Sequence, residues 1–306
     1  MSTLNTTYKK SVLSFLKKDR KSSDQRKRFT RSRVGNFFYV LFLIAFGLFS
    51  VLPLVYCICT SFKPIDELLI FPPRFFVNRP TLENYIALPS LLSNMRVPLS
   101  KYIFNSLFIT IVTTTLYVFI STAAGFVLSK TKMRVNKILI TGVQVALLFN
   151  GFTLAIPQYL IFSYMGMVDT YWIYILPYCA SSMGVFLMKQ YIDGSVPEAL
   201  LEAARIDGAG QFRIFAQIVV PMTKPCMMTL TLFGFQAVWS TVPDGTIFSE
   251  NLKTLPTIMA NINAGGIARS GSAMAVTVLM MIPPILIYMI TQSNVLESMN
   301  SAGIKE

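Results

Sequence analysis

NFFYVLFLIAFGLFSVLPLVYCICT, from Asn36 to Thr60, is twenty-five residues without one Asp, Glu, Lys or Arg. A helix needs about 20 such residues, within roughly 17–25, to cross the hydrocarbon core of a bilayer. The stretch is not alone. Runs of the same kind lie at about 102–129, 138–163, 171–190, 226–243 and 273–292. Several hold proline (Pro53, Pro157, Pro177, Pro283, Pro284), which ordinary soluble core helices reject and membrane helices tolerate. The whole chain agrees: of 306 residues, 53% are hydrophobic and 13% charged, where soluble domains carry roughly a quarter charged residues. Too little polar surface remains to coat a globule of this size. An all-α integral membrane protein of six transmembrane helices is predicted.

The net charge of +13 is uneven. Residues 1–35 form a basic tail with eleven Lys and Arg against Asp19 and Asp24. A basic tail can mean nucleic acid, but directly before an apolar helix it reads as a topology determinant held on the cytoplasmic side, beside anionic lipid head groups. No nucleic-acid partner is expected. The first apolar run begins too late for a cleavable signal peptide and reads as a retained anchor. With the tail inside, segments 1–35, 130–137, 189–224 and 293–306 hold twenty Lys and Arg and the outer segments seven. The short loop with Lys130, Lys132, Arg134 and Lys137 is the cleanest case, because short loops obey the positive-inside rule best. Both termini are then cytoplasmic, on a multi-pass protein of the bacterial cytoplasmic membrane, with residues 36–306 as one membrane domain.

Histidine is absent, which removes the commonest general base and metal ligand. Cys57, Cys59, Cys179 and Cys226 lie in or beside apolar runs and read as small hydrophobes. No catalytic or metal-binding constellation is found, which sets aside an intramembrane enzyme. No span has an ionisable residue near its middle, where carriers driven by protons or sodium often place one. The sequence also lacks a Gly-x4-Gly-Lys-Ser/Thr loop, so it carries no cofactor of its own, and any ATP must be hydrolysed elsewhere.

The longest inner loop, 194–225, opens GSVPEALLEAARIDGAG. Ser195 and Glu198 have the spacing of a capping box around Pro197. A short helix to about Ile206 is expected, with Gly208 as a left-handed stop. A second helix, Phe212–Val220, should end before Pro221, with its apolar residues Phe212, Phe215, Ile218 and Val219 recurring at helical spacing. Glu202-Ala203-Ala204, three residues, Gly208, nine residues and Ile218-Val219-Val220-Pro221 resemble the signature of ABC importer permeases, Glu-Ala-Ala-x3-Gly-x9-Ile-x-Leu-Pro. Val220 stands where the family usually has Leu. The resemblance implies the type I permease architecture, with 195–221 as a cytoplasmic coupling helix-turn-helix docking on a separate ATPase. Glu198, Glu202, Ala203, Ala204, Asp207, Gly208 and Pro221 are its contact and turn residues. The bland reading is an interfacial amphipathic helix without a partner.

Glu202-Ala-Ala-Arg-Ile-Asp-Gly-Ala-Gly resembles the carbohydrate branch, in particular the smaller maltose-type permease. Thr60-Ser61-Phe62-Lys63, Asn84-Tyr85, Asn105-Ser106-Leu107, Asp169-Thr170, Thr254-Leu255-Pro256 and Ser301-Ala302-Gly303-Ile304-Lys305 fit that branch. Asn150-Gly151 departs from a frequent Pro-Gly, and the basic tail is longer than is common. Amino-acid and phosphonate importers share the coupling signature and stand as the alternative. The implied partners are a second homologous permease, two ATPase subunits holding ATP and Mg, and an external sugar-binding lipoprotein. Sugars need aromatic platforms beside amides and hydroxyls. Gln236 and Trp239, three apart and able to share a helix face, are candidates for the substrate path, as is Asn150; packing between helices explains them equally well. The outer segment with Asn263, Gly265, Gly266 and Arg269 reads as a flexible connector. The resemblance makes it the loop that reaches into the binding protein.

Overall fold

The structure is a computed structural model describing residues 33–93, 97–131, 133–149, 151–242 and 245–303. The basic tail to residue 32, Lys132, Asn150 and the end from 304 lie outside the described residues. The helices are α1 (Arg33–Ser61), α2 (Ile65–Leu68), α3 (Glu83–Ser93), α4 (Leu99–Lys130), α5 (Asn136–Ala146), α6 (Gly151–Tyr164), α7 (Trp172–Cys179), α8 (Ser182–Ser195), α9 (Glu198–Ile206), α10 (Gln211–Ile214), α11 (Val220–Met222), α12 (Lys224–Trp239), α13 (Leu255–Asn263) and α14 (Ser270–Gly303). Among the described residues there is no strand.

The chain divides into two units, residues 1–55 and 56–306. In the first, residues 35–54 of α1 are all exposed. A helix this apolar with no polar face has lipid as its natural solvent. In the second, α4 is the hub, packing most against α8, α12 and α7. Its buried face is rich in small and polar residues (Asn105, Ser106, Thr110, Thr113, Thr114, Ser121, Thr122, Gly125). Its exposed positions include Phe104, Phe108, Ile111, Leu116 and Phe119. That polarity is the inverse of a soluble helix. In lipid there is no hydrophobic drive to bury Phe or Leu, and small residues let backbones approach.

Among the described residues three helices are long and apolar enough to cross a membrane, Gly35–Ser61, Leu99–Lys130 and Ile267–Val295. The pair Gln211–Met222 and Lys224–Trp239, bent by 77°, is a fourth if counted as one span. The expected runs 138–163 and 171–190 are not continuous. The first is α5 and α6, and the second is α7 and α8, parted at Ala180 (φ −112°, ψ 58°). α14 runs unbroken through Pro283 and Pro284. Proline at 284 removes the amide that would bond the carbonyl four residues back, Met280. The indole N–H of Trp239 donates to that carbonyl at 3.0 Å instead.

Candidate functional site

The segment 194–225 begins as α8 ends. Ser195 is the last residue of α8, and its hydroxyl donates to the Tyr191 carbonyl at 2.7 Å, so the expected capping box does not form. A serine that back-bonds to its own helix is lost to the next one. Val196, 1% exposed, turns into the core, and Pro197 takes the position before α9. α9 is amphipathic, with Leu201 as its buried anchor among Val196, Ile214 and Val219. Glu198, Glu202, Ala203 and Asp207 are exposed, and Ala204 is half-buried. Gly208 follows at φ +81° with open space where a Cβ would stand, and its amide donates to the Arg205 carbonyl at 3.0 Å. Ile206 and Phe212 flank this turn 87% and 81% exposed. Two large apolar side chains beside an acidic helix edge make a surface suited to a protein partner.

The second half departs from a plain helix. α10 passes into a π-turn, Phe215–Val219, before α11. The wider turn brings residues five apart onto one side. Ile214 and Val219 are therefore the buried pair, while Phe212 points out. Pro221 does not end the segment either: it is exposed within α11, and the chain bends at Thr223, whose hydroxyl donates to the Val219 carbonyl at 2.9 Å.

At the Leu99 end of α4, three of the motifs singled out in the sequence converge. The Asn105 amide donates to the carbonyls of Asn251 and Lys253 at 2.8 and 2.9 Å and accepts from the Tyr171 hydroxyl at 3.0 Å. The Ser106 hydroxyl accepts from the Leu255 amide at 2.8 Å. Asp169, at φ +61°, accepts from the Phe248 and Ser249 amides at 2.9 and 2.8 Å and from the Ser249 hydroxyl. These bonds to its charged form, the Ser249 hydroxyl first, hold the Asp169 carboxyl below the ordinary carboxylate value. The contribution is present above that value and lost as pH falls through the lowered one. Side chains thus staple loop 246–255 to the bundle. A second staple lies after α1. Asn84 donates to the carbonyls of Ser61 and Lys63 at 2.9 and 2.8 Å, and the Ser61 and Tyr85 hydroxyls are 2.9 Å apart. Buried Lys63 donates to the Arg74 carbonyl, and buried Glu67 accepts from the Asn78 and Arg79 amides. Reading the sequence missed Glu67; an acid just before the proline-bearing stretch 70–80 was the available signal.

Gln236 and Trp239 do not share a face. Gln236 is exposed, whereas Trp239 is buried, stacked on Phe235 with centroids 5.5 Å apart and bonded to Met280. An open groove of about 370 Å³ runs between α6 and α7, walled by Leu154, Pro157, Phe162, Leu176 and Pro177, with Gln158 its single amide. The glycine-rich segment is not slack. Gly266 turns at φ +76°, and the Arg269 side chain folds over Gly265, where a Cβ would come 2.3 Å from Arg269 Cδ. Asn263 ends α13 exposed, like Gly265, Gly266 and Arg269. Among the described residues no group of three or more His, Cys, Asp and Glu could hold a metal ion.

The family model described as binding-protein-dependent transport system inner membrane component matches residues 120–300, segment 194–225 included. Protein LplC of Bacillus subtilis (strain 168) is 32% identical over 216 residues, covering 68% of this chain and 68% of its own. The polygalacturonan/rhamnogalacturonan transport system permease protein YtcP of the same organism is 27% identical over 270 residues, 83% of this chain and 92% of its own. Among solved structures, a bacterial ABC transporter involved in the import of the acidic polysaccharide alginate superposes with a TM-score of 0.70. That likeness covers 86% of this chain and 98% of the other at 20% identity, and it is one of fold.

Proposed function

The chain belongs to the family of binding-protein-dependent transport system inner membrane components, and on that premise we propose that it is a permease subunit of an ATP-driven carbohydrate importer coupled through residues 194–225. It is a transport subunit and not an enzyme; ATP is hydrolysed by a separate chain. The observation that carries the coupling reading is α9, with Leu201 as a root and Glu198, Glu202, Ala203 and Asp207 as its exposed edge, closed by the positive-φ turn at Gly208. Pro221 lies exposed at the exit of the same segment, two residues before the bend at Thr223. A carbohydrate cargo is supported by relatives such as YtcP. The working unit is this chain, a second permease, two ATPase subunits with ATP and Mg, and an external sugar-binding lipoprotein. Asn263, Gly265, Gly266 and Arg269 are the contact with that lipoprotein. Gln236 and Gln158 offer amides to sugar hydroxyls, Asn150 is a third candidate amide, and Trp239 serves by holding α12.

The Glu202→Ala, Gly208→Val double variant tests this. Valine at φ +81° costs about 1–3 kcal/mol of backbone strain, and loss of the carboxylate leaves a partner's polar group unpaired, at about 1–3 kcal/mol. Neither change touches the span interior. The variant should insert normally but fail to assemble with the ATPase, or assemble without sugar-stimulated hydrolysis. Transport and stimulated hydrolysis at the unmodified level would refute the coupling role.

A further inference from the structure

We infer that Tyr117 is a positioning residue for transport, the fulcrum on which both membrane arms of the coupling segment turn; the inference rests on the coupling role proposed above. Tyr117 is buried in α4. α8 leads into segment 194–225 and α12 leads out of it. A Cβ on Gly184 of α8 would stand 2.4 Å from Tyr117 Cε2 and 2.6 Å from its hydroxyl oxygen. A Cβ on Gly234 of α12 would stand 2.5 Å from Cδ1 and 2.9 Å from Cε1 of the same ring. Real Cβ atoms essentially never come within 3.0 Å. One ring therefore rests against the bare backbone of two helices, and only glycine admits it on either side.

The placement makes a lever. Gly184 lies eleven residues before Ser195, the end of α8, and Gly234 lies ten after Lys224, the start of α12. At a rise of about 1.5 Å per residue both arms run roughly 15–17 Å from the ring to the loop, about half of the ~30 Å hydrocarbon core. A push on α9 thus reaches two arms of equal length that meet on one side chain. Thr113 and Thr114 before Tyr117 and Ser121 after it have buried hydroxyls without a hydrogen-bond partner. Toward its Leu99 end the same helix is stapled by Asn105 and Ser106. One end is fixed by its bonds to the loop, while beside the ring three hydroxyls are unpartnered and the Tyr117 hydroxyl is held by Ser181.

The test uses the whole transporter in liposomes, with the amount of assembled complex and the sugar moved per ATP hydrolysed read separately. Tyr117→Phe keeps the ring and should stay within about twofold of the unmodified ratio. Tyr117→Leu should assemble normally but move at least tenfold less sugar per ATP. Gly184→Ala alone can fail to fold, so it is paired with Tyr117→Leu; the pair should regain assembly and not the ratio. An unmodified ratio in Tyr117→Leu, or a transport loss that only follows the amount of complex, would overturn the inference. Failure of the coupling reading shows elsewhere, as full transport by the Glu202→Ala, Gly208→Val variant, so the two outcomes stay distinct.

Discussion

Trp239 shows how a single side chain changes meaning once its partner is known. In sequence it is an aromatic three residues from an amide, the pattern of a sugar platform. In the structure its indole N–H occupies the Met280 carbonyl that Pro284 leaves without a helical amide. Trp239→Phe keeps an aromatic ring for stacking on Phe235 but removes the donor and part of the buried ring, and the unsatisfied acceptor alone costs about 1–3 kcal/mol. The expected outcome is a lower unfolding temperature in detergent with an unchanged apparent KM for sugar uptake; a raised KM at unchanged stability would return Trp239 to the substrate path. The partner lies forty-one residues away in the chain, so no local pattern could have announced it. Gly208 is the opposite case. Its positive φ answers a local demand, the end of a short helix of good formers, and it was legible from the spacing alone.

At the scale of elements, α9 was readable because three local signals agree: Pro197 before it, helix formers through it and Gly208 after it. Its neighbour was not, since a π-turn widens the repeat and no residue type marks one. The apolar set Phe212, Phe215, Ile218 and Val219 fits a period of 3.6, but the buried pair is Ile214 and Val219. The difference can be measured. Leu201, 1% exposed, roots α9 in the cluster with Ile214 and Val219. Leu201→Ala should cost about 2–5 kcal/mol and raise hydrogen exchange across 197–209. Ile206→Ala, at a position 87% exposed, should cost about 0.5 kcal/mol or less in stability, while weakening ATPase binding. Equal effects of the two on exchange would mean that α9 is not rooted through Leu201.

For the whole molecule the question is whether a chain with three or four recognisable spans among the described residues makes six crossings. Hydropathy gives six apolar runs because it sums side chains and is blind to breaks in the backbone. The structure parts two of those runs, and dimensions decide whether the pieces still suffice. α5 and α6 have 11 and 14 residues, and α7 and α8 have 8 and 14. At about 1.5 Å per residue these pairs reach roughly 37 and 33 Å end to end, against a hydrocarbon core of about 30 Å. Each broken pair is long enough to cross once. α12, with 16 residues, reaches about 24 Å and needs the turn at Thr223 or the residues after Trp239 to complete its crossing. Broken helices are tolerated at membrane depth where protein covers them, and Ile173, Tyr174, Ile175 and Cys179 of α7 are buried. Six crossings with a basic amino-terminal tail inside place the loop from Lys130 to Lys137, segment 194–225 and the carboxyl terminus on one side, and 165–170 on the other. Single cysteines at Lys137, Met165 and Arg213, in a chain whose four native cysteines are replaced by alanine, should label accordingly with an impermeant thiol reagent on intact cells: Met165 at once, Lys137 and Arg213 only after lysis. Labelling of Lys137 on intact cells would mean that α5 and α6 do not cross as a pair, and the six-span topology would fall with them.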